Sequence, residues 1–125
     1  MNAVHLSGKV ASEIKLRTVQ GREGQQYEKV SLIVAVRRPR GGDGPPDWVR
    51  VEAWGVLARN LVRFNRKGSR LVITGRLRSE FYEPTGAERG GQLRYAVVAD
   101  RIEFMSPPVR EVGEEANTSA KGSRK

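Results

Sequence analysis

Period-two alternation recurs along this chain and lapses for one short stretch, which restricts the fold to strands around a single helix. The first run, Val4 to Val10, is bent at Gly8 and continues through Ile14-Lys15-Leu16. Tyr27 to Arg38 sets Val30, Leu32, Val34 and Val36 against Ser31, Ile33, Ala35 and Arg37. Asp47 to Gly55 sets Val49, Val51 and Ala53 against Trp48, Arg50, Glu52 and Trp54. Arg70 to Tyr82 places Leu71, Ile73, Gly75, Leu77 and Phe81 on one face, with Val72, Thr74, Arg76, Arg78, Glu80 and Tyr82 on the other. Tyr95 to Phe104 completes the set, and a bulge near Asp100 is needed to bring Val98, Ile102 and Phe104 into phase.

Between the third and fourth runs the period changes. Leu57, Leu61 and Phe64 fall at i, i+4 and i+7, one face of a short helix from Val56 to Lys67, with Gly68 at its C′ position. Turns are expected at Gln20 to Gly24 and around Glu83 to Gly91, and Pro39 to Pro46 reads as a mobile loop. Five strands with a helix between the third and fourth is the order of an OB-fold, an all-β, five-stranded Greek-key barrel. The barrel domain is expected over residues 1–105. From Ser106-Pro107-Pro108 the composition turns to Gly, Glu, Ser, Thr and Lys, so residues 106–125 read as a disordered C-terminal tail.

The chain of 125 residues suits one domain. It holds 23 Lys and Arg against 14 Asp and Glu, a formal charge of +9, so a polyanion is the expected partner. No apolar run is long enough to span a membrane, and no membrane partner is expected. The start, Met1 to Leu6, lacks the layout of a secretory signal; with no cysteine, the chain fits a cytoplasmic, nucleoid-associated location. One histidine, His5, cannot build a histidine metal cluster or a His-pair mechanism, and no nucleophile–base set or phosphate-cradling glycine loop is present. No cofactor, metal or catalytic residue is expected.

Both tryptophans stand on the face that alternation assigns to solvent. A soluble monomer gains nothing in folding from exposing two of them, so they ask for a partner that stacks. Six residues separate Trp48 from Trp54, roughly 20 Å at about 3.3 Å per residue. That suits an extended strand of nucleotides, with Arg50 between the rings. Arg76, Arg78 and Tyr82 would form a second row, and Arg37, Arg38 and Arg40 lead into the long loop. Structural roles are the alternative: Trp48 as a lid on the barrel, Trp54 packed under the helix. Phe64, Phe81 and Phe104 fall on apolar faces and are assigned to the core, whereas Tyr27 and Tyr95 stay open. Glu52 and Glu80 are expected to pair with arginines of their own strands on a solvated face.

Met1-Asn2-x-Val4-x-Leu6-x-Gly8, Val34-Ala35-Val36, Asp47-Trp48-Val49-Arg50-Val51 with Trp54-Gly55, Lys67-Gly68-Ser69, Val72 to Ser79, Tyr82 and Val97-Val98-Ala99 follow one another in an order and spacing that resembles the bacterial single-stranded DNA-binding protein (SSB) family. The resemblance spans about residues 1 to 105. It implies an OB-fold that binds single-stranded DNA without sequence preference, in replication, recombination or repair, usually as a homotetramer. It also implies base stacking at Trp48, Trp54 and Tyr82, and pairing of first strands around Val4 and Leu6 with His5 nearby. The loop after the second strand commonly carries an aromatic in the family; here it offers Arg37, Arg38 and Arg40, so contacts there are expected to be more electrostatic. Family members commonly end in an acidic tip with a terminal Pro-Phe that recruits repair enzymes. This chain ends in Lys121-Gly122-Ser123-Arg124-Lys125, so recruitment of that kind is not expected unless another subunit supplies the tip. The competing readings are an OB-fold RNA-binding or primosome-type accessory protein, and an assembly protein whose aromatics face another protein.

Overall fold

The computed structural model describes residues 1–39, 44–82 and 91–105. The expected hairpin loop over 83–90 and the expected tail over 106–125 lie outside the described residues, as does Arg40. The strands are β1 (Val4–Val10), β2 (Leu16–Gln20), β3 (Gln26–Val36), β4 (Asp47–Trp54), β5 (Arg70–Tyr82) and β6 (Gln92–Phe104), with helix α1 (Val56–Phe64) between β4 and β5. The sheet runs β1-β5-β6-β4-β3-β2, and β1 pairs with β3 as well as with β5. Those pairings close a five-membered ring, β1-β5-β6-β4-β3-β1, with β2 hanging from β3 as an added strand. All pairs are antiparallel except β4 with β6. This is the expected OB architecture, and its first long strand is resolved into β1 and β2.

Closure depends on a backbone crossing. Residues 4–9 of β1 pair with β5, and the strand then shifts its hydrogen bonds so that Lys9 and Val10 face Ala35 and Val34 of β3. A Cβ on Gly8 would stand 2.4 Å from the Ala35 carbonyl oxygen, so only glycine lets β1 cross β3 at this depth. Just beyond, the Ala11 amide donates to the Ile33 carbonyl (2.8 Å), and the Ile33 amide donates to the Ser12 hydroxyl (2.9 Å). A side-chain oxygen thus stands in for a ladder acceptor, which ends β1 and starts the offset to β2.

The core is filled from both halves of the ring: Val10, Val30, Leu32, Val34, Val51, Ala53, Leu71, Ile73, Val97 and Ala99 are buried, and Ala58 and Leu61 of α1 close one end. The expected bulge is present and brings Ile102 and Phe104 against the core, whereas Val98 precedes it and stays opposite Arg76 on the outer face, so Val98 is not brought into phase as expected. Thr74 pairs with Arg101 while Gly75 pairs with Ala99, which leaves Asp100 as the extra residue. Gly75 lies at this step, where a Cβ would meet the Val98 carbonyl oxygen at 2.1 Å.

Two further expectations change. The helix ends at Phe64, not Lys67, because Asn65 takes an extended conformation (φ −135°, ψ 165°). Gly68 (φ 100°) is therefore not the helix C′ residue. It sits third in a tight turn closed by the Ser69 amide on the Arg66 carbonyl at 2.9 Å, a position that needs positive φ. Phe81 is not a core residue: it is 61% exposed. The ladder from β1 to β5 starts at Val4 opposite Gly75, so the β5–β6 hairpin beyond that point projects past the barrel, and no described strand lies under Phe81. Phe64 and Phe104 are half-buried, Phe104 against the core cluster.

Gly8→Ala is expected to lower the unfolding free energy by about 1–3 kcal/mol, the usual range for forcing atoms into a packed site, whereas the exposed neighbour Ser7→Ala stays within about 0.5 kcal/mol. Urea unfolding of the two variants checks this.

Candidate nucleic-acid interface

Alternation in β4 is held by its register with β3, which sets Trp48 opposite Ala35, Arg50 opposite Ile33, Glu52 opposite Ser31 and Trp54 opposite Lys29. All of these side chains belong to the outer face of the barrel, while Val49, Val51 and Ala53 point inward. In the β5–β6 hairpin, Arg76, Arg78, Glu80 and Tyr82 sit opposite Val98, Ala96, Arg94 and Gln92. β4 and β5 are not hydrogen-bonded neighbours; β6 lies between them. The two rows nevertheless meet, because Arg78 reaches across β6 to Glu52. Arg50, Glu52, Arg78, Glu80, Arg94, Ala96 and, from the alternate phase of β6, Tyr95 line one dimple of about 30 Å³ at the centre of the face.

The aromatic rings are accessible. Trp48 is 62% exposed, Trp54 38% and Tyr82 43%. Trp54 is not packed away beneath α1, since Gly55 (φ 65°, ψ −133°) turns the chain sharply between the strand and the helix. Two of the rings are backed by cations. Lys29 Nζ lies 5.1 Å from the Trp54 ring centroid, and the Arg94 guanidinium lies 4.2 Å from that of Tyr82. A cation over a ring face is attracted by the ring's quadrupole and steadies it.

Glu52 differs from its expected surroundings. It is buried, 4% exposed, and its partners come from other strands rather than its own. Arg78 holds it in a fork, with Nη2 donating to Oε2 at 2.7 Å and Nε to Oε1 at 3.3 Å, and Lys29 Nζ stands 3.5 Å from Oε2. Burial pushes this carboxyl up, but the Arg78 hydrogen bonds and the charges of Lys29 and Arg78 outweigh it and hold it below the usual carboxylate range. The same hydrogen bonds raise Arg78 above its ordinary value. Glu80 does follow expectation, as an exposed partner of Arg78 at 3.7 Å.

Arg37 and Arg38 follow the end of β3, away from the central dimple. They line a groove of about 470 Å³ together with Lys9, Arg70, Ser7, Gly8, Ala35, Gly44, Pro46 and Met105. Arg38 is also tied to Asp47, Nε to Oδ1 at 2.8 Å. The groove adjoins the aromatic face, because Ala35 is the register partner of Trp48. The sequence reading missed Lys9, Lys29, Arg70 and Arg94. Lys29 shares the phase of Ser31 and Ile33, and Arg94 lies in the part of β6 that precedes its expected start at Tyr95.

A closed five-membered barrel with a helix between its β4 and β5 strands, and a cationic aromatic face, belongs to the OB class. Comparison with known proteins narrows it. The model of the single-strand binding protein family matches residues 1–105. A single-stranded DNA-binding protein of Thermosynechococcus vestitus is 31% identical over 108 residues, covering 85% of this chain and 83% of that protein. One from Clostridium tetani is 30% identical over 107 residues, covering 84% of this chain and 70% of that protein. The chain belongs to the single-strand binding protein family.

Because the Glu52 carboxyl is depressed in the folded state, its stabilisation is complete above the unfolded value of about 4.3 and is lost as pH falls through the lower folded value. Glu52→Gln is therefore expected to be less stable than the wild type at neutral pH, with the gap narrowing below about pH 4.3. Melting temperature against pH for both proteins tests it, and a gap that stays constant in acid would contradict the assignment.

Proposed function

We propose that this protein binds single-stranded DNA without reading its sequence, coating and protecting it in replication, recombination or repair. Bases stack on Trp48, Trp54 and Tyr82. Arg50, Arg76 and Arg94 meet phosphates on the aromatic face, and Arg37 and Arg38, with Lys9 and Arg70, do so in the adjoining groove. The observation that carries this reading is the exposure of all three rings on one cationic face of a barrel from this family. Each ring offers a π-surface to any base, at about 1–3 kcal/mol per base. The action is binding alone, without turnover. Arg40 belongs to the proposed contacts by sequence and lies outside the described residues.

The protein is further proposed to act as a homotetramer. Two surfaces support self-association. The edge of β1 over residues 4–8, opposite its β5 ladder, has no strand partner among the described residues, and such an edge is a ready template for a second chain. The inner face of the projecting hairpin carries Leu77, Phe81, Leu93 and Tyr95, exposed by 43% to 61%. Asn2 braces the approach to this region: its side-chain amide exchanges two hydrogen bonds of 2.7 Å with the Leu77 backbone, extending the β1–β5 ladder beyond Val4.

Titration with oligo-dT is expected to quench tryptophan emission strongly. Trp54→Ala should keep its fold and lose about 1–3 kcal/mol of binding; full affinity in this variant would remove Trp54 from the site. Competition with an RNA strand of the same sequence should favour DNA, and a preference for RNA would support the RNA-binding reading instead. Sedimentation equilibrium should give the mass of four chains, and a monomer mass with and without oligo-dT would contradict the assembly.

A further inference from the structure

A carboxylate at the centre of a polyanion-binding face has the wrong charge for its ligand, and Glu52 is the only acidic side chain of that face that is buried among the described residues. Its burial is possible because two cations surround it. Arg78 supplies two donors in the planar fork that matches a carboxylate, and Lys29 supplies the third contact. Arg78 also stands 3.7 Å from Glu80, and Lys29 is held between Glu52 and the Trp54 ring. Two of the cations nearest the stacking rings are thus already neutralised from within the protein, before any strand arrives.

We propose that Glu52 is an internal counter-ion that withholds Arg78 and Lys29 from the phosphates of a bound strand and uses them to position the stacking face. The proposal rests on the reading of this face as the single-stranded DNA surface. Lys29, fixed by Glu52, backs Trp54 so that one side of the ring is presented; Arg78, fixed by Glu52, ties the β5 row to the β4 row across β6. The centre of the face then meets bases, and phosphates are met at its rim by Arg50, Arg76 and Arg94. Glu52 is a positioning residue in this scheme. Binding is less dependent on salt than the number of cations on the face would suggest, because only cations that reach phosphates release counter-ions.

The test is the affinity of the full chain for oligo-dT as a function of NaCl, measured for the wild type, Glu52→Gln, Arg78→Gln, the double variant and Lys29→Gln. Each phosphate neutralised on a single strand contributes about 0.7 to the slope of log affinity against log salt. Glu52→Gln keeps the side-chain shape and removes one negative charge, so it uncovers one net positive charge and should steepen the slope by about 0.7. Arg78→Gln alone should leave the slope unchanged, and the double variant should be shallower than Glu52→Gln by about 0.7. A purely structural role for Glu52 would lower affinity at every salt concentration without steepening the slope, and that result would overturn the proposal. So would a loss of about 0.7 from Arg78→Gln or Lys29→Gln in the wild-type background. Should Glu52→Gln fail to unfold cooperatively, Lys29→Gln decides alone: an unchanged slope supports the proposal. Wild-type protein that neither binds oligo-dT nor loses tryptophan emission would overturn the DNA-binding reading and this proposal together, whereas wild-type binding with an unchanged Glu52→Gln slope overturns this proposal only.

Discussion

The close crossing of β1 over β3 at Gly8 is the constraint on which the other features depend. β1 must leave its ladder with β5 and join β3 within two residues, at a separation where the Ala35 carbonyl leaves no room for a Cβ. Once that ring is closed, each strand has an inside and an outside, and alternation decides what faces solvent. The core needs only the small and branched aliphatics of one phase. The other phase is free to carry large rings and charge.

Closure also fixes where the barrel stops. β1 supports β5 only as far as Gly75, with Asn2 adding one side-chain rung at Leu77. Beyond it the β5–β6 hairpin has two exposed faces of different character. One bears Arg78, Glu80, Tyr82 and Arg94, continuous with Trp54 and Arg50 through the buried Glu52. The opposite one bears Leu77, Phe81, Leu93 and Tyr95 and is apolar. The hairpin thereby separates the charged face proposed for the polyanion from the apolar face proposed for self-association. The parallel contact of β4 with β6 is short, Val51 with Val97 and Glu52 with Val98, and it brings the two aromatic rows into register.

Much of this was legible in the sequence because both signals involved are local. Period two marked the strands, and the same phase argument placed Trp48, Trp54 and Tyr82 on the outer face and required a bulge at Asp100. What escaped depended on contacts between distant segments. Phe81 has a core-like phase, but its burial depends on how far β1 extends, which no residue near Phe81 records. Glu52 looks like a solvated charge beside Arg50, and only the tertiary arrangement supplies Arg78 and Lys29 to bury it. The division of the first strand is equally non-local, since it turns on the Ser12 hydroxyl accepting from the Ile33 amide. The end of the helix was missed for a local reason: Asn65 leaves the helical conformation while the basic residues after it still resemble a last turn.

The central claim is that the outer face across β4, β6 and β5 holds the strand. Photocrosslinking of oligo-dT substituted with 5-iododeoxyuridine, followed by peptide mass spectrometry, tests it most directly, because the excited base reacts with the ring it stacks on. Adducts on Trp48, Trp54 and Tyr82 are the expected result. Adducts confined to Phe81 and Tyr95, on the opposite face of the hairpin, would contradict it.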